Sequence, residues 1–511
     1  MDNKAYVEDD ENEFVAVKKV KTPEQSSHSF EQAISLAGVG WFHYKLLLIC
    51  GLCFMSVMVE IMGVSLIMPL VKCDLKPTIT EQGVLASAGF MGVVLSSHAM
   101  GFLADTWGRT KTLRYGLGLA AISSIVSGFS VNIWMLIVLR FFVGFFISGG
   151  QACVFSLCGE FHGSVSRVRH VTLLSGFLCL AVMFAPSMAI GILPLRIETI
   201  VLGMRFSSWR VLLIADVSII ILSVIGLCLL PETPKYQLVQ GNGEGALETM
   251  RTIFAQNTGR PKSEFPVQLL TVEDSGSSLS SINGVCDAFR LVWQQTVPIF
   301  YRSRVFHTLN LCIIQFFVYG IAQGIFMWFP TILNELNGNS EGSSHLCTVL
   351  QAVDSTSASN CEDVDLTTYY TMIIIGAAFT VVYVIFAYTI DYVGKRNLVL
   401  IWFALTTISL LALQWINQMA LVVIAVTIIM AIGNCGGLIG TIAIEFYPTS
   451  INAMSMSFIM MVGRLGAVVG SNVLGRLLFS SCEVVFWTLF GISVLIIVMG
   501  WFMPDKRRPK F

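Results

Sequence analysis

Residues 101–111 read GFLADTWGRTK and lie between two long apolar runs, about 85–104 and 113–131. A related stretch, AYTIDYVGKRN, occupies residues 387–397. In each, an Asp is followed three residues later by Gly and then by a basic residue: Asp105, Gly108 and Arg109, then Asp391, Gly394 and Lys395. Gly101 and Lys111 bound the first copy, and Arg396 extends the second. Asp105 and Asp391 are 286 residues apart, and the pairs Glu160-Phe161 and Glu445-Phe446 are 285 apart. Two markers at one offset indicate a chain built from two related halves.

Composition states what those halves are. Of 511 residues, 55% are apolar and only 12% are charged, where a soluble chain carries about 25% charged. The mean hydropathy of +0.75 excludes an ordinary soluble fold. A hydrocarbon core is crossed by about 20 apolar residues in a helix. On that ruler twelve segments are predicted, near 45–71, 81–104, 112–130, 133–157, 170–194, 208–231, 306–332, 367–390, 398–416, 419–442, 452–479 and 484–503. The expected architecture is all-α membrane, twelve transmembrane helices in two six-helix halves.

Five regions follow. Residues 1–40 are polar and acidic and are expected to be disordered and cytosolic, with no cleavable signal. Residues 41–231 form the first half, 232–305 a cytosolic loop, 306–503 the second half and 504–511 a cytosolic tail. The loop is more than a linker. Leu247, Met250, Ile253 and Phe254 share one helix face, and Val285, Phe289, Val292, Trp293 and Val297 share another. Thr271–Ser281 is expected to be flexible.

Charge placement orients the chain. The loop Asn334–Leu366 has no Lys or Arg but carries Glu335, Glu341, Asp354, Glu362, Asp363 and Asp365, whereas the two repeated loops, the termini and the central loop carry most of the basic residues. The positive-inside rule puts both termini in the cytosol. Asn334–Leu366 then lies outside, where Cys347 and Cys361 can bridge, with Cys73 and Cys482 as competing partners.

The six-plus-six arrangement and the repeated D-x-x-G-[RK] loops resemble the major facilitator superfamily. Arg140-Phe-Phe-Val-Gly144, Glu160, Pro231-Glu-Thr-Pro-Lys235 and Glu445-Phe-Tyr-Pro-Thr449 look like its sugar-porter and organic-ion-porter motifs. Val59-Glu60-Ile-Met-Gly63 and Ser208-Trp-Arg-Val211 are most similar to the synaptic vesicle glycoprotein two group, a neighbour of the organic cation and anion transporters. The chain departs from those patterns at Val57, where the vesicle glycoproteins carry Asp, and at Thr106 and Asn452, where Arg is usual. The resemblance implies alternating access to a site between the halves. It also makes the loop residues a conformational latch. Physically, Asp105 can face a helix N-terminus, Arg109 and Lys111 can meet carboxylates such as Glu160, and Glu160 and Arg167, seven residues apart across a loop, can pair.

Charges inside apolar segments are costly and usually functional. Glu60 is the first candidate for a substrate or proton site, followed by Arg464, with Asp216 and Arg140 as further intramembrane charges whose alternative is a structural ion pair. Gln315, Tyr319 and Gln323, with Phe326 and Trp328, form a polar and aromatic stripe at helical spacing expected to line the cavity. Gln151 and Asn434 can add hydrogen bonds there. Aromatic walls with a carboxylate suit a cationic or planar solute.

The expected function is secondary transport of a small organic ion, coupled to protons or sodium, by a monomer surrounded by membrane lipid. A hexose porter is the runner-up, and a non-transporting vesicle glycoprotein-like protein is the alternative of another class. The membrane is expected to be the plasma membrane or that of an intracellular vesicle. No phosphate-binding loop, metal-ligand spacing or nucleophile–base arrangement occurs, so the sequence indicates neither an enzyme nor a cofactor, and no nucleic-acid partner.

Overall fold

All twelve apolar segments are helical, because in a membrane each backbone N–H and C=O must be satisfied within its own segment. The computed structural model describes residues 27–201, 203–271, 296–338, 346–352, 366–416, 418–447 and 452–504. Span 1 is Trp41–Leu75, span 2 Ile79–Trp107, span 3 Arg109–Ser127 and span 4 Ile133–Glu160. Span 5 joins Ser164–Ser175 to Phe177–Ile192, and span 6 is Ser208–Cys228. Span 7 is Val305–Gly338, span 8 Leu366–Val393 and span 9 Lys395–Ala412. Span 10 runs Met419–Met430, tightens into a 3-10 turn at Ala431–Asn434 and resumes as Cys435–Phe446. Span 11 is Asn452–Ser480 and span 12 Cys482–Trp501. Among the described residues eleven helices are long and apolar enough to cross a membrane. Span 3 falls short because Arg109, Lys111 and Arg114 crowd its first turns.

The starts of the spans are written locally. Thr78 and Glu81 close a capping box on span 2, and the Asn132 side chain accepts from Met135 N at the start of span 4, each satisfying donors that a helix start leaves free. Small residues bring helices together where lipid provides no hydrophobic drive. A Cβ on Gly144 would strike the backbone of Gly89, and one on Gly470 the backbone of Gly320, so spans 2 and 4 and spans 7 and 11 cross with little more than backbone between them.

Two expectations are corrected. Disorder over residues 1–40 does not extend through 27–40. Ser27–Ser29 pairs in parallel with Leu269–Thr271, and Phe30–Leu36 is a helix whose start is held by a capping box of Ser29 and Gln32. Its Ala33 and Ile34 are buried, which offsets the entropy of ordering the segment. The Cys347–Cys361 bridge gives way to Cys347–Cys482, with Cα atoms 5.3 Å apart and 135 residues between them in sequence. A short helix, Leu346–Ala352, carries Cys347 to the first residue of span 12. Cys73 is also disulfide-bonded, and Cys361 lies outside the described residues.

The loop helix forms over Gly243–Thr258 and buries Leu247, Met250, Ile253 and Phe254, the face its spacing predicts. The second amphipathic stretch lies outside the described residues apart from Val297, which opens a 3-10 turn to Phe300. Residues 272–281 also lie outside them, as do 1–26 and 505–511.

The halves meet along spans 2 and 11, 5 and 8, and 1 and 7. Lys72 pairs with Glu335 at 3.0 Å, Asn472 Nδ2 donates to Ser87 Oγ at 2.8 Å, and Tyr369 Oη donates to the Leu66 carbonyl at 3.1 Å. These contacts lie toward the face that holds the disulfide. Arg464 Nη1, donating to Ser97 Oγ at 2.9 Å, lies nearest mid-span. The repeated motif loops occupy the opposite face.

Candidate transport site and gate

Glu60 points into the first half. Its carboxylate is 2.8 Å from Arg140 Nη1, and both side chains are almost wholly buried. Ser124 Oγ lies 3.0 and 2.9 Å from the two Glu60 oxygens. The Arg140 Nη2 donates to Ser124 Oγ at 2.9 Å and to Ser127 Oγ. Spans 1, 3 and 4 are thus joined by one charge-assisted network. Asp216 of span 6 completes it: a Cβ on Gly63 would sit 3.2 Å from its Oδ2, Glu60 and Arg140 act on it electrostatically, and its Oδ1 has no hydrogen-bond partner. Two carboxyls and one guanidinium are therefore buried in the first half, with Glu60 paired to Arg140 and Asp216 within their electrostatic reach. Like charges gathered in a low dielectric disfavour each other's ionisation, which suits such a group to binding a proton.

A second group lies where the halves face one another. Arg464 of span 11 reaches Ser97 of span 2, beside His98, on which it acts electrostatically, and it also acts on Tyr319 of span 7. The Gln315–Tyr319–Gln323 stripe runs beside the broken part of span 10: a Cβ on Gly436 would meet Tyr319 and Gln315, and one on Gly433 would meet Ala322. Gln315 Nε2 approaches Met460 Sδ at 3.4 Å. Gln315 Oε1, Gln323 Oε1 and Asn434 Nδ2 are buried with no hydrogen-bond partner. Unmet amide groups in an apolar bundle cost about 1–3 kcal/mol each. Trp328 stands apart. Its indole donates to the Ser471 carbonyl at 2.8 Å and packs against Gly475 and Phe479, inside the second half. Phe326 is buried. The side chain of Gln151 lies outside the described residues.

At the motif face Arg109 bridges Asp105 at 3.1 Å and Glu160 at 2.9 Å. Thr233 Oγ1 donates to the other Glu160 oxygen at 2.7 Å. The expected Glu160–Arg167 pair does not form. Arg109 and Thr233 occupy Glu160, and Arg167 instead meets Glu31 of the N-terminal helix at 2.6 Å and donates to the Gly159 and His162 carbonyls. The Asp105 carboxylate stays within its own half, while Lys111 contributes its backbone N–H to Glu232 at 3.3 Å. Gly101 meets nothing at its Cβ position.

Glu232, inside the Pro-Glu-Thr-Pro motif, is the residue the sequence reading left without a role. It accepts from Thr110 N at 3.1 Å and from Lys111 N, placing an anion on the N-terminus of span 3 where the helix dipole favours it. Tyr236 Oη donates to the Thr106 carbonyl at 2.8 Å. Burial, and then the nearby Glu232, push that phenol above its ordinary value, so it remains a neutral donor. In the second copy Lys395 pairs with Glu445, the counterpart of Arg109 and Glu160, and Arg396 bonds the Trp501 carbonyl. The Asp391 side chain lies outside the described residues.

Gly108 sits at φ +110° and Gly394 at φ +85°, conformations that cost other residues about 1–3 kcal/mol. At Gly108 an added Cβ would also strike the Glu232 carboxylate, whereas nothing approaches Gly394. Gly108→Ala is therefore expected to lower thermal stability more than Gly394→Ala. Equal shifts in melting temperature would refute the Glu232 contact.

The chain is similar to known membrane proteins over most of its length. The model of the Major Facilitator Superfamily matches residues 48–358. The synaptic vesicle 2-related protein of Xenopus laevis is 25% identical over 495 residues, covering 96% of this chain and 83% of that protein. Synaptic vesicle glycoprotein 2B of Mus musculus is 26% identical over 337 residues, covering 62% of this chain and 49% of that protein. Among solved structures, the inward open conformation of the xylose transporter XylE from E. coli has a TM-score of 0.67 at 12% identity, covering 92% of this chain and 98% of that one.

Proposed function

The chain belongs to the major facilitator superfamily, and from that premise we propose that it is a secondary active transporter moving a small organic ion by alternating access. The observation that carries the proposal is the pairing of two buried features: a carboxyl–guanidinium–carboxyl group at Glu60, Arg140 and Asp216, and unmet amides at Gln315, Gln323 and Asn434 beside Arg464. The first suits proton binding and the second suits solute binding. Separating them lets a proton change the packing of spans 1, 4 and 6 without touching the solute.

Glu60 faces inward, so the carboxylate behind the expectation of a cation is not at the interface. Arg464, reaching across the halves to Ser97, supports an anion. Contacts between the halves toward the disulfide face support a state closed there, with the motif loops as the gate of the opposite face. A disulfide at Cys347 and Cys482 supports an oxidising compartment on its side, hence a cytosolic motif face. The vesicle-protein relatives favour an intracellular vesicle membrane over the plasma membrane.

The test is uptake into proteoliposomes under an imposed proton gradient, with organic anions, organic cations and hexoses as separate arms. Anion accumulation is expected, and it is expected to fall at least about tenfold in Arg464→Gln, the equivalent of about 1.4 kcal/mol of lost binding. Cation uptake unaffected by that substitution would overturn the assignment of charge. Uptake of a hexose alone, with the Arg464 variant unimpaired, would favour the sugar-porter reading. No flux of any solute by folded protein would overturn transport itself.

A further inference from the structure

Three buried histidines meet at the motif face, outside the groups assigned to transport. His43 is on the first turn of span 1, His162 follows span 4 and His170 is in the first helix of span 5; they are 1%, 0% and 6% exposed. The His162 and His170 ring centroids are 4.1 Å apart, His43 and His162 4.6 Å, and His43 and His170 6.5 Å. They lie on three elements and share no spacing, so no sequence pattern connects them.

Their neighbours dictate their neutral forms. A carbonyl oxygen can only accept, so each ring nitrogen against one must carry the hydrogen. His43 Nε2 is 2.9 Å from the Phe161 carbonyl, His162 Nδ1 is 2.6 Å from that of Cys158, and His170 Nδ1 is 2.9 Å from that of Ser166. The remaining nitrogen of His43, Nδ1, accepts from Asn257 Nδ2 at 3.2 Å. His162 Nε2 is buried with no nitrogen or oxygen partner. An added proton must therefore go to a nitrogen that faces an amide N–H, a neighbouring ring or the Cys158 thiol.

Asn257 is the link to the rest of the face. It ends the loop helix Gly243–Thr258 and accepts from Phe42 N at 3.1 Å, capping span 1. The same amide donates to the Ala37 and Gly38 carbonyls at 3.2 and 2.9 Å, tying down the N-terminal helix. Other titratable groups against the cluster are Cys158 of span 4, whose thiol is in hydrogen-bonding contact with both Cys50 of span 1 and His162 and acts electrostatically on His170, and Arg167, which donates to the His162 carbonyl and is neutralised by Glu31. None of these is a carboxylate facing the rings.

We infer that His43, His162 and His170 form a proton-binding site whose occupation releases the clamp made by the loop helix and the N-terminal helix. A proton on His43 Nδ1 turns the Asn257 bond into a donor–donor contact. A proton on either of the other rings places a positive charge beside His43 and weakens the same bond. Acidification on this face thus frees residues 30–40 and 243–258 from the starts of spans 1 and 5, independently of Glu60 and of any solute.

Hydrogen exchange of the full-length protein in lipid discs tests this between about pH 8 and about pH 4, a window that covers the ordinary imidazole value and the lower range reached by buried histidines. With rates corrected for intrinsic pH dependence, protection of 243–258 and 30–40 is expected to fall at least about tenfold on acidification, with span 12 unchanged. His43→Gln keeps a donor for the Phe161 carbonyl and an acceptor for Asn257, and is expected to flatten the response. A wild-type protein with no selective loss, or a variant with an undiminished one, would overturn the proposal. Should the variant fail to fold, the wild-type comparison decides alone: a loss shared equally by span 12 would equally overturn it.

Discussion

Replacing Arg140 with leucine is expected to destabilise the protein by about 3–5 kcal/mol, the cost of stranding one member of a buried ion pair. Glu60 would keep its Ser124 contacts but lose the only cation within hydrogen-bonding reach among the described residues, and Asp216 would remain beside it. Removing both charges together, as Glu60→Leu with Arg140→Leu, is expected to recover most of that loss, because apolar residues often replace buried pairs at little net cost. Ser127 already donates to the Ser124 carbonyl at 2.7 Å and is not orphaned by the change. The measurement is thermal unfolding of the two single variants and the double variant, read as a double-mutant cycle. Equal instability of the Arg140→Leu and double variants would show that Arg140 acts through its volume and not through its charge.

The contrast between what was legible and what was not follows from range. Apolar runs, the Asp-x-x-Gly turns and the face of the Gly243–Thr258 helix are local patterns, and each appears where the sequence puts it. Span 10 is also present, but its 3-10 turn at Ala431–Asn434 is a subtler break in an uninterrupted apolar run. The Glu60–Arg140 pair joins residues 80 apart in sequence; hydropathy identifies both as costly but does not say that they meet. Arg167 lies close to Glu160 in sequence, yet Arg109 and Thr233 occupy Glu160 and Arg167 pairs with Glu31 of a helix that composition alone suggests is disordered. Glu232 was quoted as part of a motif, yet its use as an anion on a helix start depends on the chain returning 121 residues later. Trp328 belongs to the stripe by spacing, yet its indole nitrogen found the Ser471 carbonyl inside the second half. In a bundle where every helix is apolar on most sides, periodicity does not say which side faces the cavity.

Glu60→Gln is the substitution expected to affect transport most. Glutamine keeps the size and hydrogen-bonding reach of the side chain but cannot exchange a proton. With Arg140 then facing Asp216 alone, one positive and one negative charge remain, and the group no longer needs a proton to be neutral. Accumulation driven by a proton gradient is expected to fall by about a hundredfold or more, since a coupling free energy of only about 2.7 kcal/mol corresponds to that factor. Exchange of labelled for unlabelled solute at equal pH on both sides needs rocking and binding but no net proton movement. It is expected to continue within a few-fold of wild type, because Arg464, Gln315 and Asn434 lie across the interface or in the other half. The two assays together separate the roles: a variant that still accumulates solute against a gradient removes Glu60 from proton coupling. One that loses exchange as well makes Glu60 part of the solute site or of the rocking itself, contrary to its buried place between spans 1, 3 and 4.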